Sequence, residues 1–209
     1  MIKGIKHIIF DLGGVILNIN YSLTENAFKN LGITNFNDLF TQLKQTSLFD
    51  QLETGKISKR DFIIAMQQWS PVPITESQII EAWNAMLLDF PLVRLSLLQQ
   101  LRLHHDLFLL SNTNIIHEEA FNNILFNAHG MQSIGLFFDK VYYSHRLGLR
   151  KPNKDIFEYI LNENNLKPEN TLFIDDSPQH ITTAKELNIQ TIHLTNGMTI
   201  ENDIFKKIN

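Results

Sequence analysis

The stretch HIIFDLGGVIL, residues 7–17, decides how this chain folds. Its first four residues form a short, mostly apolar run, which Asp11 ends. Gly13 and Gly14 follow before the sequence becomes apolar again. Continuous apolar runs of this length are typical of strands that are buried on both faces of a parallel sheet. We therefore predict a buried strand with a carboxylate at its carboxyl end, and the glycines raise the question of why no larger side chain stands beside it.

Four further runs have the same character, and helix-length segments separate the later ones. The predicted strands are LFLL (107–110), KVYY (140–143), TLFI (171–174) and QTIHL (190–194). The predicted helices between them are Ile115–Ala128, Lys154–Asn164 and Pro178–Leu187. Strands that alternate with helices in this way indicate an α/β fold built on a parallel sheet.

The first interval departs from that alternation. Between Leu17 and Pro91 the sequence shows only helical patterns, at Leu23–Leu31, Lys59–Trp69 and Glu76–Leu88. A crossover between parallel strands needs only about a dozen residues. We therefore predict a helical cap at residues 18–90, inserted into a core formed by residues 1–17 and 91–209.

Composition excludes several classes of protein. The chain has 209 residues, no cysteine and a net charge of −4, so disulfides, thiolate metal sites and nucleic acid as the main partner are not expected. The first apolar run is too short for a signal peptide, and no segment approaches the ~18 apolar residues of a membrane span. We expect a cytoplasmic monomer or weak dimer that binds neither nucleic acid nor membrane.

Polar residues stand where the predicted strands end. Asp11 ends the first strand, Ser111-Asn112-Thr113 the second and Asp175-Asp176 the fourth, while Lys151 lies in the loop after the third. Open α/β sheets bind ligands outside the carboxyl ends of their strands. The topology therefore predicts that acids, a hydroxyl and an ammonium group gather at one edge of the sheet.

Each of these residues taken alone has a structural explanation. Asp11 fits a turn before glycines, and Ser111 or Thr113 could cap the following helix. Lys151 could be a solvated loop lysine, and Asp176 could start a helix. A structural role does not explain two adjacent carboxylates, however, because they repel each other unless a cation lies between them.

Together these residues suit phosphoryl transfer. Asp11 is a candidate nucleophile. With Asp175 and Asp176 it offers the hard oxygen ligands that Mg²⁺ prefers. Lys151 and Ser111 would neutralise charge on the phosphoryl oxygens. Glycines at 13 and 14 would leave backbone N–H groups open to an anion.

The ordered motifs resemble those of the haloacid dehalogenase (HAD) superfamily, in particular its phosphatases with a small helical cap. The motifs are FDLGGV (10–15), LLSNTN (109–114), GLRKP (148–152) and FIDDSP (173–178). The resemblance implies a modified Rossmann core, Mg²⁺ dependence and hydrolysis of a small phosphorylated metabolite, such as a sugar phosphate, by double displacement.

Residue roles carried over from the family follow the motifs. Asp11 attacks phosphorus and, with the Gly13 carbonyl and both acids of the fourth motif, binds the metal. Catalysis is assigned to Asp11, Lys151 and Ser111. The phosphate and substrate contacts are assigned to Leu12, Gly13, Ser111, Asn112 and Lys151.

One position departs from the family pattern. The phosphatases usually carry a second aspartate, the general acid–base, where this chain has Gly13. Such a group contributes about 10²–10⁴-fold to the rate. Four explanations stay open. The cap could supply a substitute, with Asp50, Glu53 and Lys56 as candidates, or the leaving group could need little help, as in an acyl phosphate or a sugar 1-phosphate. The enzyme could also be slow, or it could bind without turnover. A similar DLG variant among sugar-1-phosphate phosphatases favours the second.

Two alternatives to a phosphatase remain at this stage. A 2-haloacid dehalogenase also lacks the second aspartate, but it lacks the paired acids of the fourth motif too. A non-catalytic phosphate-binding protein would have kept the pocket and lost the acid. Trp69 and Trp83 are expected in the cap core, although either could face the substrate. His180 is expected on a helix surface, with a position near the mouth of the pocket as the alternative.

Overall fold

A computed structural model describes residues 2, 4–40, 47–195 and 197–206. Five parallel strands form one sheet in the order β3-β2-β1-β4-β5. Their bounds are β1 His7–Phe10, β2 Asp106–Ser111, β3 Lys140–Tyr143, β4 Thr171–Asp175 and β5 Gln190–His193. All five predicted strands are therefore present, and the predicted α/β fold is confirmed.

Ten α-helices accompany the sheet in the described part of the chain. Those before the second strand are α1 Tyr21–Asn30, α2 Phe36–Leu39, α3 Ser47–Glu53, α4 Lys59–Trp69, α5 Glu76–Asn84 and α6 Leu92–Leu101. The later helices are α7 Ile115–His129, α8 Ser144–Leu147, α9 Lys154–Glu163 and α10 Pro178–Glu186. Short turns of 3₁₀ helix lie at Ile134–Phe137 and Pro168–Asn170, and a π-helical turn lies at Ile200–Ile204. Within the described ranges, none of the helices combines the length and the apolar composition that a membrane span requires.

The central strand β1 explains why its sequence is so apolar. It pairs with β2 on one side and with β4 on the other. Ile8, Ile9 and Phe10 are fully buried, and alternate residues enter separate apolar clusters on the two faces of the sheet. Because β1 lies in the middle, the residue that follows it reaches the centre of the sheet's carboxyl edge.

Helices α1–α5 fall within the residues predicted to form the cap, and an aromatic cluster holds them together. Trp83 is fully buried in this cluster with Phe28, Phe36, Phe49 and Phe62. The expected core position of Trp83 is therefore confirmed. The same expectation for Trp69 is wrong, since 37% of this residue is exposed. Trp69 is the last residue of α4 and contacts the cluster only at its edge, through the Phe49 ring at a centroid distance of 6.1 Å.

Two antiparallel segments join helices α1–α5, for which we keep the name cap, to the rest of the chain, for which we keep the name core. The Asn18 N–H donates to the Asp89 carbonyl at 2.9 Å, and the Leu88 N–H donates to the Asn18 carbonyl at 3.0 Å. The Asn20 N–H donates to the Met86 carbonyl at 2.9 Å. The two connections therefore form a paired ribbon, which brings the cap over the carboxyl edge of the sheet.

Candidate active site

The loop after Asp11 is a tight turn that needs its second glycine. Gly14 has a φ of +73°, and a Cβ there would lie 2.4 Å from Oδ2 of Asp176. The Gly14 N–H donates to the Leu17 carbonyl at 2.9 Å. The expectation that this N–H is open to an anion is therefore wrong, because the turn itself uses it. Gly14 instead makes room for an acid of the fourth motif.

Lys151 lies at the centre of the site. Its side chain is fully buried, and Nζ donates to Asp11 Oδ1 at 2.8 Å, to Asp175 Oδ2 at 2.7 Å and to the Leu110 carbonyl at 3.0 Å. The alternative of a solvated loop lysine is therefore wrong. The loop after β3 carries Lys151 back beneath the strand ends, where one ammonium group holds two carboxylates.

Asn112 fixes the backbone of this lysine. Its Nδ2 donates to the Lys151 carbonyl at 2.8 Å, and its Oδ1 accepts from the Lys151 N–H at 2.9 Å. The amide predicted to bind phosphate is thus already engaged, so its observed contacts position Lys151. Ser111 and Thr113 do not cap α7, since the capping side chain is that of Asn114.

Asp175 is held from three sides. Its Oδ1 accepts from the Ser177 N–H at 2.7 Å and from His180 Nδ1 at 2.9 Å, while Oδ2 accepts from Lys151. His180 does not lie on an exposed helix surface, because only 14% of its side chain is exposed. It lines the cavity beside Asp11, which is the alternative position considered for it. Position 180 lies in the first turn of α10, which begins directly above the end of β4 and points this side chain back over the sheet.

Three carboxylates could hold a metal ion. Oxygen atoms of Asp11, Asp175 and Asp176 all lie within 4.8 Å of one another. Mg²⁺ takes oxygen ligands and is typically bound through one or two carboxylates together with water and phosphate oxygens. The donor set therefore fits Mg²⁺, and Asp11 and Asp176 also line the open cavity beside it.

Burial and the shared lysine set the charge states of this group. Burial raises the pKa of Asp11 above the ordinary carboxyl value, against the opposing pull of Lys151. Burial opposes ionisation of Asp175 as well, but Lys151 and His180 outweigh it and hold the pKa of this carboxyl well below its usual range. Burial works against the charge on Lys151, yet the two carboxylates raise the pKa of its ammonium group.

A cavity of about 90 Å³ opens from this group toward the cap. All six residues predicted to act in catalysis or to contact phosphate line it: Asp11, Leu12, Gly13, Ser111, Asn112 and Lys151. Residues that sequence analysis did not single out complete the wall, among them Tyr21, Phe40, Met86, His117 and Arg150. Only Arg150 carried a usable signal, since it directly precedes the motif lysine.

Of the three cap residues considered as substitutes for the missing acid, only Glu53 lines the cavity. It is buried, and its Oε2 lies 2.9 Å from Nη2 of Arg150. Asp50 contacts the same guanidinium at 3.0 Å from outside the cavity. Lys56 is exposed and lies away from it.

Two neutral polar groups face the same space. Burial, together with the nearby acids, raises the pKa of the Tyr21 phenol well above 10. Burial lowers the pKa of His117 to about 4. Its Nε2–H donates to the Trp83 carbonyl at 3.1 Å, so the ring is uncharged near neutral pH.

The fold and the site together define a class. A carboxylate directly after the central strand, a buried lysine and two adjacent acids at the end of β4 fit a hydrolase that works with a divalent cation.

The comparison with known proteins agrees with that class. A family model described as haloacid dehalogenase-like hydrolase matches residues 5–188. The chain belongs to this family. The resemblance deduced from the four motifs and the assignment as a hydrolase are therefore confirmed.

Similar proteins cover almost the whole chain. The D-ribitol-5-phosphate phosphatase of Bacteroides thetaiotaomicron is 32% identical over 193 residues, covering 92% of this chain and 93% of the relative. A HAD family enzyme from that organism, crystallised as a variant with magnesium and inorganic phosphate, has a TM-score of 0.87 at 31% identity and covers 93% of this chain and 96% of its own. A HAD-like family hydrolase from Porphyromonas gingivalis has a TM-score of 0.86 at 32% identity and covers 97% of both chains.

Proposed function

We propose that the protein is a Mg²⁺-dependent phosphatase of small phosphorylated polyols or sugars, with D-ribitol 5-phosphate as the first candidate substrate. The contact that carries the proposal is the bridge from Lys151 to Asp11 and Asp175, which lies beside Asp176. The similarity to a D-ribitol-5-phosphate phosphatase over nearly the whole chain supports the choice of substrate. It also favours phosphate over the haloacid and non-catalytic alternatives.

In the first step, a carboxylate oxygen of Asp11 attacks phosphorus, and the bond to the leaving alcohol oxygen breaks. The leaving oxygen takes a proton and departs as the alcohol. Water then attacks the aspartyl phosphate, which releases inorganic phosphate and restores Asp11. Lys151 holds Asp11 in place and offsets negative charge that builds up near the phosphoryl group. Bound Mg²⁺ would supply further positive charge there.

The source of the leaving-group proton is the unusual part of this mechanism. Gly13 has no acid, and Glu53 is engaged with an arginine. The phosphate of ribitol 5-phosphate is on a primary alcohol, which is a poorer leaving group than the anomeric oxygen of a sugar 1-phosphate. An easy leaving group therefore does not explain Gly13 for this substrate. We propose that water in the cavity provides the proton and that the chemical step is correspondingly slow.

The test is release of inorganic phosphate from a panel of polyol and sugar phosphates, with Mg²⁺ or with EDTA. We expect Mg²⁺-dependent turnover that Asp11→Asn reduces by at least about 1,000-fold, because the amide is a poor nucleophile. Asp106→Asn is the matched control, since this exposed aspartate begins β2 at the opposite edge of the sheet. Full activity in EDTA, or in Asp11→Asn, would overturn the proposal.

A further inference from the structure

The cap places one carboxylate in the cavity and fixes it firmly. Glu53 ends α3 and is only 6% exposed. Two residues later, Gly55 has a φ of +66°, and a Cβ there would lie 2.2 Å from the His145 carbonyl oxygen. The turn that follows Glu53 therefore rests directly on the core backbone, which sets the height of this carboxylate over the sheet edge.

Arg150 sets the direction of that carboxylate. Its guanidinium contacts Glu53 Oε2 at 2.9 Å and Asp50 Oδ1 at 3.0 Å. Arg150 also precedes Lys151, whose Nζ holds Asp11. A core residue adjacent to the catalytic lysine thus orients the cap carboxylate, so the position of Glu53 is coupled to that of the nucleophile.

The charges around the cavity decide which leaving groups it can accept. Among the described residues that line it, each cationic side chain already contacts carboxylates: Arg150 contacts Asp50 and Glu53, and Lys151 contacts Asp11 and Asp175. His180 contacts Asp175, and His117 is neutral because burial lowers its pKa to about 4. No described cation in this wall remains for a second anionic group on the substrate.

Glu53 and Tyr21 instead suit hydroxyl groups. The Glu53 carboxylate lies 2.9 Å from a guanidinium nitrogen of Arg150, and its oxygens can accept hydrogen bonds from hydroxyl groups. The neutral Tyr21 phenol can donate. Polyol hydroxyls both donate and accept, whereas a carboxylate or second phosphate on the leaving group would face an acid it cannot pair with.

We infer that Glu53, oriented by Arg150, is the specificity-determining residue of this site and selects phosphomonoesters whose leaving group is uncharged and carries several hydroxyls. The inference rests on the proposed phosphatase activity and goes further by assigning the selection to one cap carboxylate.

The experiment compares kcat/KM for the hydrolysis of three substrates in the presence of Mg²⁺. They are ribitol 5-phosphate, 3-phosphoglycerate, whose leaving group carries a carboxylate, and p-nitrophenyl phosphate, whose leaving group carries no further hydroxyls. In Glu53→Gln we expect the kcat/KM ratio of ribitol 5-phosphate to p-nitrophenyl phosphate to fall by about 10- to 100-fold, the range for one hydrogen bond to a charged group. The preference for ribitol 5-phosphate over 3-phosphoglycerate should fall with it. Inhibition by the product ribitol should weaken in parallel.

Asp50→Asn is the matched control, because Asp50 contacts the same guanidinium but lies outside the cavity. In Asp50→Asn, the kcat/KM of ribitol 5-phosphate relative to p-nitrophenyl phosphate and to 3-phosphoglycerate should stay near the wild-type values. Equal losses in both variants, or unchanged ratios in Glu53→Gln that still melts cooperatively, would overturn the assignment of Glu53. If Glu53→Gln does not fold, Glu53→Asp, which keeps the charge but shortens its reach, must show the lowered ratios or the assignment fails.

Assays of the wild-type protein distinguish a failure of this inference from a failure of the proposed function. Hydrolysis of p-nitrophenyl phosphate without preference for ribitol 5-phosphate over 3-phosphoglycerate would overturn the inference and leave the phosphatase in place. Hydrolysis of none of the three would overturn the proposed function itself.

Discussion

The two glycines after Asp11 serve different purposes. Gly14 needs its positive φ and the absence of a Cβ, because Asp176 Oδ2 occupies that space. Gly13 has no such backbone requirement, and a Cβ there would lie 3.1 Å from Cδ1 of Ile19. Position 13 therefore lacks the acid of the family and faces an apolar side chain, whereas Gly14 is needed to leave space for the Asp176 carboxylate.

Gly14→Ala should weaken metal binding. The alanine Cβ forces the Asp176 carboxylate away from Asp11. The positive φ, which costs an alanine roughly 1–2 kcal/mol, lowers stability but does not by itself change metal affinity. We expect the Mg²⁺ dissociation constant, measured by isothermal titration calorimetry, to rise by about tenfold or more, since each ~1.4 kcal/mol is a factor of ten.

Gly130→Ala is the control that separates the effect of backbone strain from the effect of displacing the Asp176 carboxylate. Gly130 ends α7 with a φ of +70°, but a Cβ there meets nothing within 4 Å. This variant should lose similar stability and keep the Mg²⁺ affinity of the wild type. An unchanged affinity in Gly14→Ala would show that Asp176 does not contribute to metal binding.

Restoring an aspartate at position 13 should accelerate the chemical step. Ile19→Val removes the Cδ1 atom that crowds this position, so we expect Gly13→Asp to work best in the Ile19→Val background. A general acid supplies about 10²–10⁴-fold in rate, and we expect the rate constant of the chemical step with ribitol 5-phosphate to rise toward that range. Single-turnover kinetics is the measurement, with Ile19→Val alone as the control. An unchanged rate would mean that another group already delivers the proton.

At the scale of secondary structure, much of this fold could be predicted because local pattern decides it. The five apolar runs are too short and too uniformly apolar for surface helices, and parallel topology then brings Asp11, Lys151 and Asp175 to one edge. The direction of His180 could not be read in the same way, because it depends on where α10 begins relative to β4. Cavity residues of the cap such as Tyr21 depend on how the cap packs on the core, which no local spacing encodes. For the same reason the sequence offered Glu53 only as one of three candidates and could not separate it from Asp50 and Lys56.

The turn between α3 and α4 is the element that seats the cap. Gly55→Ala would push its Cβ against the His145 carbonyl oxygen, 2.2 Å away, and so move the turn off the core. Glu53 would move with it. A displacement of about 1 Å in a positioned group can cost roughly 100-fold in rate, so we expect kcat/KM for ribitol 5-phosphate to fall by about 10- to 100-fold in steady-state assays.

The same Gly130→Ala variant controls for backbone strain in this turn. The loss in Gly55→Ala should be larger for ribitol 5-phosphate than for p-nitrophenyl phosphate, because only the first has hydroxyls for the contact with Glu53 that we propose. Wild-type activity in Gly55→Ala would show that the contact between this turn and His145 is not needed to place the cap.

At the scale of the whole molecule, the cap and the core share buried contacts. Ile116, at the start of core helix α7, packs in the aromatic cluster of the cap. Beside it, the His117 ring stacks on Trp83 at a centroid distance of 4.6 Å. Asn114 Oδ1 accepts from the N–H groups of Ile116 and His117 and so fixes the start of the helix. Docking of the cap therefore contributes to the stability of the fold as well as to the cavity.

The burial of His117 makes that stability depend on pH. Its pKa is lowered to about 4 in the folded protein, against 6.5 when unfolded. Between these values only the unfolded chain takes up the proton, so stability is complete above pH 6.5 and falls as the pH falls toward 4. We expect the burial of His117 to lower the unfolding free energy by about 2 kcal/mol between pH 7 and pH 5.

Urea unfolding at both pH values measures this loss of stability. In His117→Gln the loss should be smaller by about 2 kcal/mol, whereas His104→Gln, a change at an exposed histidine, should show the same loss as the wild type. An equal pH dependence in all three proteins would mean that His117 is already protonated in the fold or is reached by solvent, and that the cap does not seal this face of α7.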